Sequence, residues 1–390
     1  MSKRNDQNRL LEVVRRVAPD SPVRVVFGNG RLVELGAMAR DEGATRVLLV
    51  TDPGIVAAGH VDRALTSLRA AGLETAIFDG ARENPTTAHV AAGVEVGRRH
   101  DLDFIVGLGG GSSMDCAKGV NLIVSNGGRM ADYRGVNQAD RPMRPMILAP
   151  TTAGTGSEAQ SFALISDPQS REKMVCGDRR PPRAGGLRPR VAILDPELTR
   201  SQPPEVAAAA GIDAIGHAVE ASATKARTDL SRRHCRQAWA LLEGAYVNAL
   251  RDPGDDDARA GMLLGAHLAG LAIEESMLGA AHSLANPLTA CCGLVHGVAV
   301  GLMLPHVVRF NTADGQNHYS DLDDDAERLA VRLESFLEAA GLPRRLCDCG
   351  VADDVLPDLA VRAATQWTAK FNPTPVGEAE MLDLYRQAYA

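Results

Sequence analysis

Aromatic residues are scarce in this 390-residue chain, at 4 %. That leaves little material for the stacking platforms that hold single-stranded nucleic acid. Excess positive charge is also missing, the formal net charge being −7. A nucleic-acid or anionic-membrane partner is therefore not expected. No run approaches the roughly 20 apolar residues of a membrane-spanning helix. The opening MSKRNDQNRLLEVVRRVAPD holds no apolar stretch of the signal-peptide kind. The cysteines, at 116, 176, 235, 291, 292, 347 and 349, are odd in number and irregularly spaced, which argues against a disulfide framework. A reducing, cytoplasmic setting is the natural expectation.

What is present suits a soluble globular protein: 45 % apolar and 23 % charged residues. The length exceeds one ordinary core and suggests two domains. The first half alternates. Strands are expected over 23–27, 46–52, 74–80, 103–110, 146–152 and 191–195, with helices over 31–43, 60–72, 86–100 and 112–124. Apolar runs ending in turn residues suit buried parallel strands. Strand and helix in turn imply an α/β parallel sheet with ligands at the carboxyl ends of its strands. After Pro203-Pro204 the chain becomes alanine- and leucine-rich with helical periodicity, broken at DPGDDD (252–257). The domains are therefore 1–200, α/β, and 201–390, all helical. RRPPRAGGLRPR (179–190), with five arginines and three prolines, reads as a loop.

GLGGGSSMD (107–115) follows a strand and opens a helix. Consecutive glycines admit a ligand close to the backbone, and the free N–H groups of a helix start favour an anion such as a pyrophosphate. A tight strand–helix turn with no ligand is the competing reading. A second glycine- and hydroxyl-rich turn, AGTGSE (153–158), follows the strand at 146–152. Asp52 ends its strand, where a carboxylate can accept from a ribose diol and repel a 2′-phosphate; a helix N-cap is the equally weighted alternative.

Asp213 and His217 stand four apart in GIDAIGHAVEA (211–221), on one helix face. Together with His282 and His296 in GAAHSLANPLTACCGLVHG (279–297), they could close around a divalent ion. Spacing alone does not bring them together. His267 and His306, on apolar faces, are the strongest competitors, and His60, His89 and His100 lie in or beside charged surface helices. Neighbouring side chains on a helix point about 100° apart, so Cys291 and Cys292 read as packing residues rather than a shared metal site.

Taken together, these residues resemble the iron-containing (group III) alcohol dehydrogenases. GGGSSMDCAK (109–118), APTTAGTGSE (149–158), GIDAIGHAVE, AAHSLANPL, VHGVAVGLMLPHVVRFN and the closing NPTPVGEAEMLDLYRQAY carry the resemblance in order along nearly the whole chain. It implies a dinucleotide-binding α/β domain followed by a helical metal-binding domain, a dehydroquinate synthase-like architecture. By residue match the metal ligands would be Asp213, His217, His282 and His296. Asp52 would sit by the adenosine ribose. Gly109, Gly110, Gly111 and Ser112 would hold the pyrophosphate, and Thr151, Thr152 and Thr155 would line the cofactor. Lys173 matches a lysine near its ribose, and Asp115 is counted with the cofactor-binding residues.

The implied activity is hydride transfer between a nicotinamide and a small alcohol or aldehyde held at the metal. The implied cofactors are NAD in preference to NADP, and a divalent ion. Iron(II) is the family's usual choice, and zinc is compatible with the same ligands. A homodimer or larger homo-oligomer is expected. Asn286 occupies the position, four residues after the third ligand, where the family often has a proton-relay histidine. It is the candidate catalytic polar residue. A short-chain alcohol or aldehyde is the default substrate. The arginine-rich segment reads first as a solvated loop, and the alternative is that it meets an anionic substrate such as a phosphono- or sulfo-aldehyde. The alternative chemistry on this architecture is a dehydroquinate-synthase-like lyase using NAD transiently.

Overall fold

A computed structural model describes residues 10–14, 21–168 and 173–389. The opening segment read for a targeting signal lies largely outside them, at 1–9 and 15–20. The chain divides into two compact units. One comprises the described residues up to Thr152 together with Ser157–Gln202; the other comprises Ala153–Gly156 together with the chain from Pro203.

The first unit is built on nine strands: β1 (Arg24–Phe27), β2 (Arg46–Val50), β3 (Glu74–Phe78), β4 (Phe104–Gly109), β5 (Gly135–Val136), β6 (Met146–Pro150), β7 (Phe162–Ser166), β8 (Lys173–Gly177) and β9 (Val191–Leu194). Six form one sheet in the order β1-β9-β6-β4-β2-β3, and every pairing in it is parallel. Its helices are α1 (Leu35–Asp41), α2 (Pro53–Ala57), α3 (His60–Ala70), α4 (Thr87–Arg99) and α5 (Gly111–Asn126). Successive strand residues feed opposite faces. Leu48, Val50, Ile105 and Leu148 pack with Val90 and Val94 of α4 and with Met114 and Val120 of α5. Val47, Leu49, Val106 and Ile147 pack with Leu35 of α1 and with Leu65 and Leu68 of α3. Burial on both faces explains why these strands read as unbroken apolar runs.

The sheet order reverses between β2 and β4. After β3 is laid outside β2, the chain returns to place β4 on β2's other side. Asp52 and the glycine turn sit at the carboxyl ends of these two strands, the topological switch point where such sheets bind ligands.

A second sheet, β5-β8-β7, was not expected from the sequence. Its β5 is two residues long, and β7 and β8 pair antiparallel as a short hairpin. None of the three is long or apolar enough to announce itself. The stretch at 31–43 also departs from one continuous helix, beginning as a 3-10 turn over Arg31–Glu34.

The second unit is helical: α6 (Pro204–Ala223), α7 (Asp229–Arg251), α8 (Asp256–Glu274), α9 (Ala280–Cys292), α10 (His296–Asn311), α11 (Ala326–Ala339), α12 (Leu356–Ala364) and α13 (Glu378–Tyr389). Pro204 opens α6 at its first position, where a missing N–H costs nothing. Asp255 within DPGDDD caps α8 by accepting from the backbone N–H groups of Asp257 and Ala258. Every residue of α8 from Ala258 to Glu274 is buried, making it a central helix.

A boundary at 200 misplaces Ala153–Gly156, which belongs with the helices. The cause is close packing. A Cβ on Gly154 would lie 2.7 Å from the Cβ of Ala210 on α6, and one on Gly156 would lie 2.7 Å from the Cα of Gly270 on α8. Among the described residues, no helix is long and apolar enough to cross a membrane.

Candidate functional site

The glycine turn is shaped for close approach. Gly109 has φ +151°, and a Cβ there would meet the Ser113 side chain at 2.7 Å and Asp52 Oδ2 at 3.1 Å. Gly110 precedes the first turn of α5, and Gly111 and Ser112 begin it. Asp52 takes the N-cap role weighed for it. Its Oδ1 caps α2 by accepting from Ile55 N at 3.1 Å, and its Oδ2 accepts from Ser113 Oγ at 2.6 Å. The carboxylate is thereby fixed beside the glycine turn while remaining partly exposed.

The second turn joins the first through the sheet. Gly109 pairs with Pro150, and Thr151 N donates to Gly109 O at 2.9 Å. Thr152 lies beside Gly110, its methyl 3.3 Å from where a Cβ would stand. Thr155 falls in the Ala153–Gly156 stretch of the other unit. Lys173 donates to Asn84 Oδ1 at 3.4 Å, and Asn84 N donates to Ser112 Oγ at 3.3 Å. Asn84 has φ +49° and was not foreseen from the sequence. The Asn-Pro pair at 84–85 was the signal available.

Asp115, counted with the cofactor-binding residues, makes hydrogen bonds within the protein. Its oxygens accept from Ser157 Oγ at 2.7 Å and from Leu164 N at 3.2 Å. The buried Lys118 ammonium donates to Ser157 O, Ser157 Oγ and Phe162 O at 2.7–2.8 Å. Burial pushes the Asp115 carboxyl up, and Lys118 offsets this only in part. The pair ties α5 to the turn at Ser157 and to β7, and both Asp115 oxygens are already engaged within the protein.

In the helical unit, α6 presents Asp213 and His217 from one face, and α9 presents His282. Their donor atoms all lie within 4.8 Å of one another, and all three residues are buried. His217 Nε2 is 3.6 Å and His282 Nε2 3.5 Å from Asp213 Oδ1. Donors sharing one tetrahedral ion at bonds of about 2.1 Å would stand roughly 3.4 Å apart. His296, the first residue of α10, reaches the same oxygen at 3.9 Å from a more exposed position, its side chain 30 % accessible. Asp213 Oδ1 and His282 Nε2 are buried without a hydrogen-bond partner. Converging orphaned donors of this chemistry fit a divalent cation.

The electrostatics agree. Burial would raise the Asp213 carboxyl, but the imidazoles of His217, His282 and His296 hold it well below the usual carboxylate range. Burial lowers His217. On His282, burial is outweighed by Asp213 and Glu220, which push it up to about 9.

Glu220 is the residue the sequence reading missed. It lies on α6 three residues beyond His217, and its Oε2 is 2.6 Å from His282 Nδ1. The available signal was its heptad offset from Asp213, which returns it to the ligand face. Asn286, one turn beyond His282, donates through Nδ2 to Gln366 Oε1 at 3.1 Å.

The competitors fall away. His267 and His306 do not join the cluster, which among the described residues is the one group of three or more such side chains. His60 is buried rather than on a surface face, 2.8 Å from Ser201 Oγ. Cys291 is exposed and Cys292 half-buried in the last turn of α9, so the expectation that both are packing residues fails for Cys291. Of the loop arginines, Arg180 pairs with the buried Asp178 at 2.6 Å, and Arg183 and Arg190 both pair with Glu42.

Fold and site together define a class: a dinucleotide-type sheet with a glycine turn at its switch point, and a helical unit with a histidine–carboxylate cluster that could hold a metal ion. Residues 22–196 match the model of the iron-containing alcohol dehydrogenases, and residues 207–389 match that of the C-terminal part of the same family. The chain belongs to this family and is an NAD(P)-dependent oxidoreductase acting on CH–OH groups.

Among its relatives is the NAD-dependent methanol dehydrogenase of Bacillus methanolicus, 32 % identical over 94 % of this chain and 98 % of that one. A 1,3-propanediol oxidoreductase of known structure superposes with a TM-score of 0.89 at 32 % identity, over 94 % of this chain and 98 % of that one. Sulfoacetaldehyde reductase from Bifidobacterium kashiwanohense, solved with NAD+, gives 0.85 at 27 % identity, over 94 % and 97 %.

Proposed function

We propose that the chain is a metal-dependent, NAD-linked alcohol dehydrogenase or aldehyde reductase for short-chain neutral substrates. Asp213, His217, His282 and His296 would be the metal ligands, and iron(II) the metal. The observation carrying this reading is the buried, unpartnered pair Asp213 Oδ1 and His282 Nε2, 3.5 Å apart. When bound, the divalent ion acts as a Lewis acid on a substrate oxygen, and the nicotinamide exchanges a hydride with the carbon that bears it.

The chain's own contribution is charge and position. Asp213 brings one negative charge to three imidazoles. Gly109, Gly110, Gly111 and Ser112 offer backbone N–H groups to a pyrophosphate at the start of α5. Asp52 is fixed to receive a ribose diol. Asn286, held by Gln366, offers a hydrogen bond but no titratable proton.

The preference for a neutral substrate rests on the loop arginines. Three of the five loop arginines that suggested an anionic aldehyde, Arg180, Arg183 and Arg190, are already paired to carboxylates. The test is a screen of purified protein, supplied in turn with Fe(II), Zn(II) and Co(II), over neutral and anionic short aldehydes with NADH and NADPH. Net NADH oxidation with a neutral aldehyde is expected. No net cofactor turnover with any of them would sink the reading and revive the lyase with transient NAD use. Turnover confined to the sulfonated or phosphonated aldehydes would overturn the substrate class.

A further inference from the structure

Three of the candidate ligands come from two helices, and the carboxylate of Glu220 on the first hydrogen-bonds the start of the second. Glu220 projects from α6, seven residues after Asp213 and three after His217, so one helix face carries all three. It is 3 % exposed. Its oxygens accept from Ala281 N at 2.6 Å, Gly279 N at 3.1 Å and His282 N at 3.4 Å, the free donors at the start of α9. The remaining contact is His282 Nδ1 at 2.6 Å.

A carboxylate offers about four acceptor sites, and here four donors face the two oxygens, three at Oε2 and one at Oε1. Because an ionised carboxylate only accepts, the Nδ1 facing it carries a proton, so a cation bound to this ring takes Nε2 in place of any proton there. The approach is too tight for a side chain at the helix start. A Cβ on Gly279 would come within 3.1 Å of Glu220 Oε1 and 2.9 Å of Asn372 Oδ1. Asn372, from the NPTP segment, accepts from Ala280 N at 3.2 Å and so supports the same turn without touching the imidazole.

We infer that Glu220 is a positioning residue for the metal: it caps α9 and, through the same carboxylate, fixes the tautomer and rotation of His282. The backbone amides hold the carboxylate and the carboxylate holds the ring, so the ligand is set by the start of its own helix. An orienting carboxylate also makes the imidazole a stronger donor, and loss of such a partner typically weakens metal binding by about 10- to 100-fold.

This inference rests on the reading of Asp213, His217, His282 and His296 as ligands, and the experiment separates the two. Co(II) affinity is measured by chelator competition, and the ligand field by visible absorption, on the full-length protein. Wild type should take up Co(II) tightly and His282→Ala should not; equal binding by both would overturn the ligand reading itself. Given that difference, Glu220→Gln is expected to bind Co(II) roughly 10- to 100-fold more weakly, with an altered spectrum. Asn372→Ala, which removes one hydrogen bond from the same helix start, should melt at lower temperature yet keep wild-type affinity. Wild-type affinity and spectrum in Glu220→Gln would overturn the inference, as would an equal loss in Asn372→Ala. Should Glu220→Gln fail to fold, Glu220→Asp keeps the charge but falls short of Nδ1. A drop of at least about threefold is then expected, and undiminished affinity would overturn the inference.

Discussion

Asp52 is a structural side chain to which the proposed function adds a role in recognition. Its Oδ1 caps α2 while its Oδ2 is held by Ser113. Replacing it with alanine removes the cap, which costs about 1 kcal/mol. It also removes the negative charge that would repel a 2′-phosphate. Asp52→Ala is expected to raise kcat/KM with NADPH relative to NADH by about tenfold or more; an unchanged ratio in steady-state assays would dissociate Asp52 from cofactor choice. At this scale the sequence was informative only where spacing encodes a face. Asp213 and His217, four apart, were legible as a pair. His282 and His296 were not, because they start different helices, and the resemblance was needed to join them. Glu220 obeyed the same spacing rule but drew no attention, since a glutamate in a helix is ordinary until its burial is known.

Elements were legible in proportion to their burial on both faces. The inner strands of the main sheet, β2, β4, β6 and β9, declared themselves as apolar runs, whereas the partly exposed strands of the small sheet, β5, β7 and β8, did not. Two ties between elements lend themselves to measurement. Gly156 has φ +61° and stands where a Cβ would lie 2.9 Å from Ala266 O. Gly156→Ala is expected to cost about 1–3 kcal/mol of stability by overpacking, read from the denaturant midpoint; a shift smaller than its error would refute the tight fit. The second tie is Asp103, which accepts from Thr45 N at 3.0 Å, Arg46 N at 2.9 Å and the Thr45 hydroxyl. Burial alone would raise its carboxyl, but these donors and Arg46 bring it below the ordinary value. A group lowered on folding stabilises above its unfolded pKa, near ~4, and that contribution fades as pH falls below it. Asp103→Asn should therefore lose about 1 kcal/mol at neutral pH and converge on wild type in acid. A constant difference across pH would contradict the assignment.

For the whole molecule, two units with a candidate site in each are two places where ligand binding should add stability. The candidate metal donors Asp213, His217, His282 and His296 belong to the helical unit, and most of the cofactor residues belong to the sheet unit. Cation at about 100 times its dissociation constant should add about 2.7 kcal/mol, seen calorimetrically as a higher Tm. His282→Ala should abolish that gain and keep the gain from NADH. Loss of both in the variant would mean that the substitution had damaged the protein as a whole. Composition and alternation announced two units, but not that four residues from the first half would pack among the second half's helices. Gly154 and Gly156 looked like part of a cofactor turn, and nothing in a local pattern reveals which distant helix a glycine must accommodate.

That placement matters for recombination. The chain passes from one unit to the other at Thr152, at Gly156 and again at Gln202. A chimera joining two relatives at position 202 would look like a clean exchange of halves. It would instead graft one parent's Ala153–Gly156 onto the other parent's α6 and α8, against Ala210 and Gly270. Crossovers should succeed only between parents whose residues at those contacts are equally small, or where the four-residue segment travels with its helices.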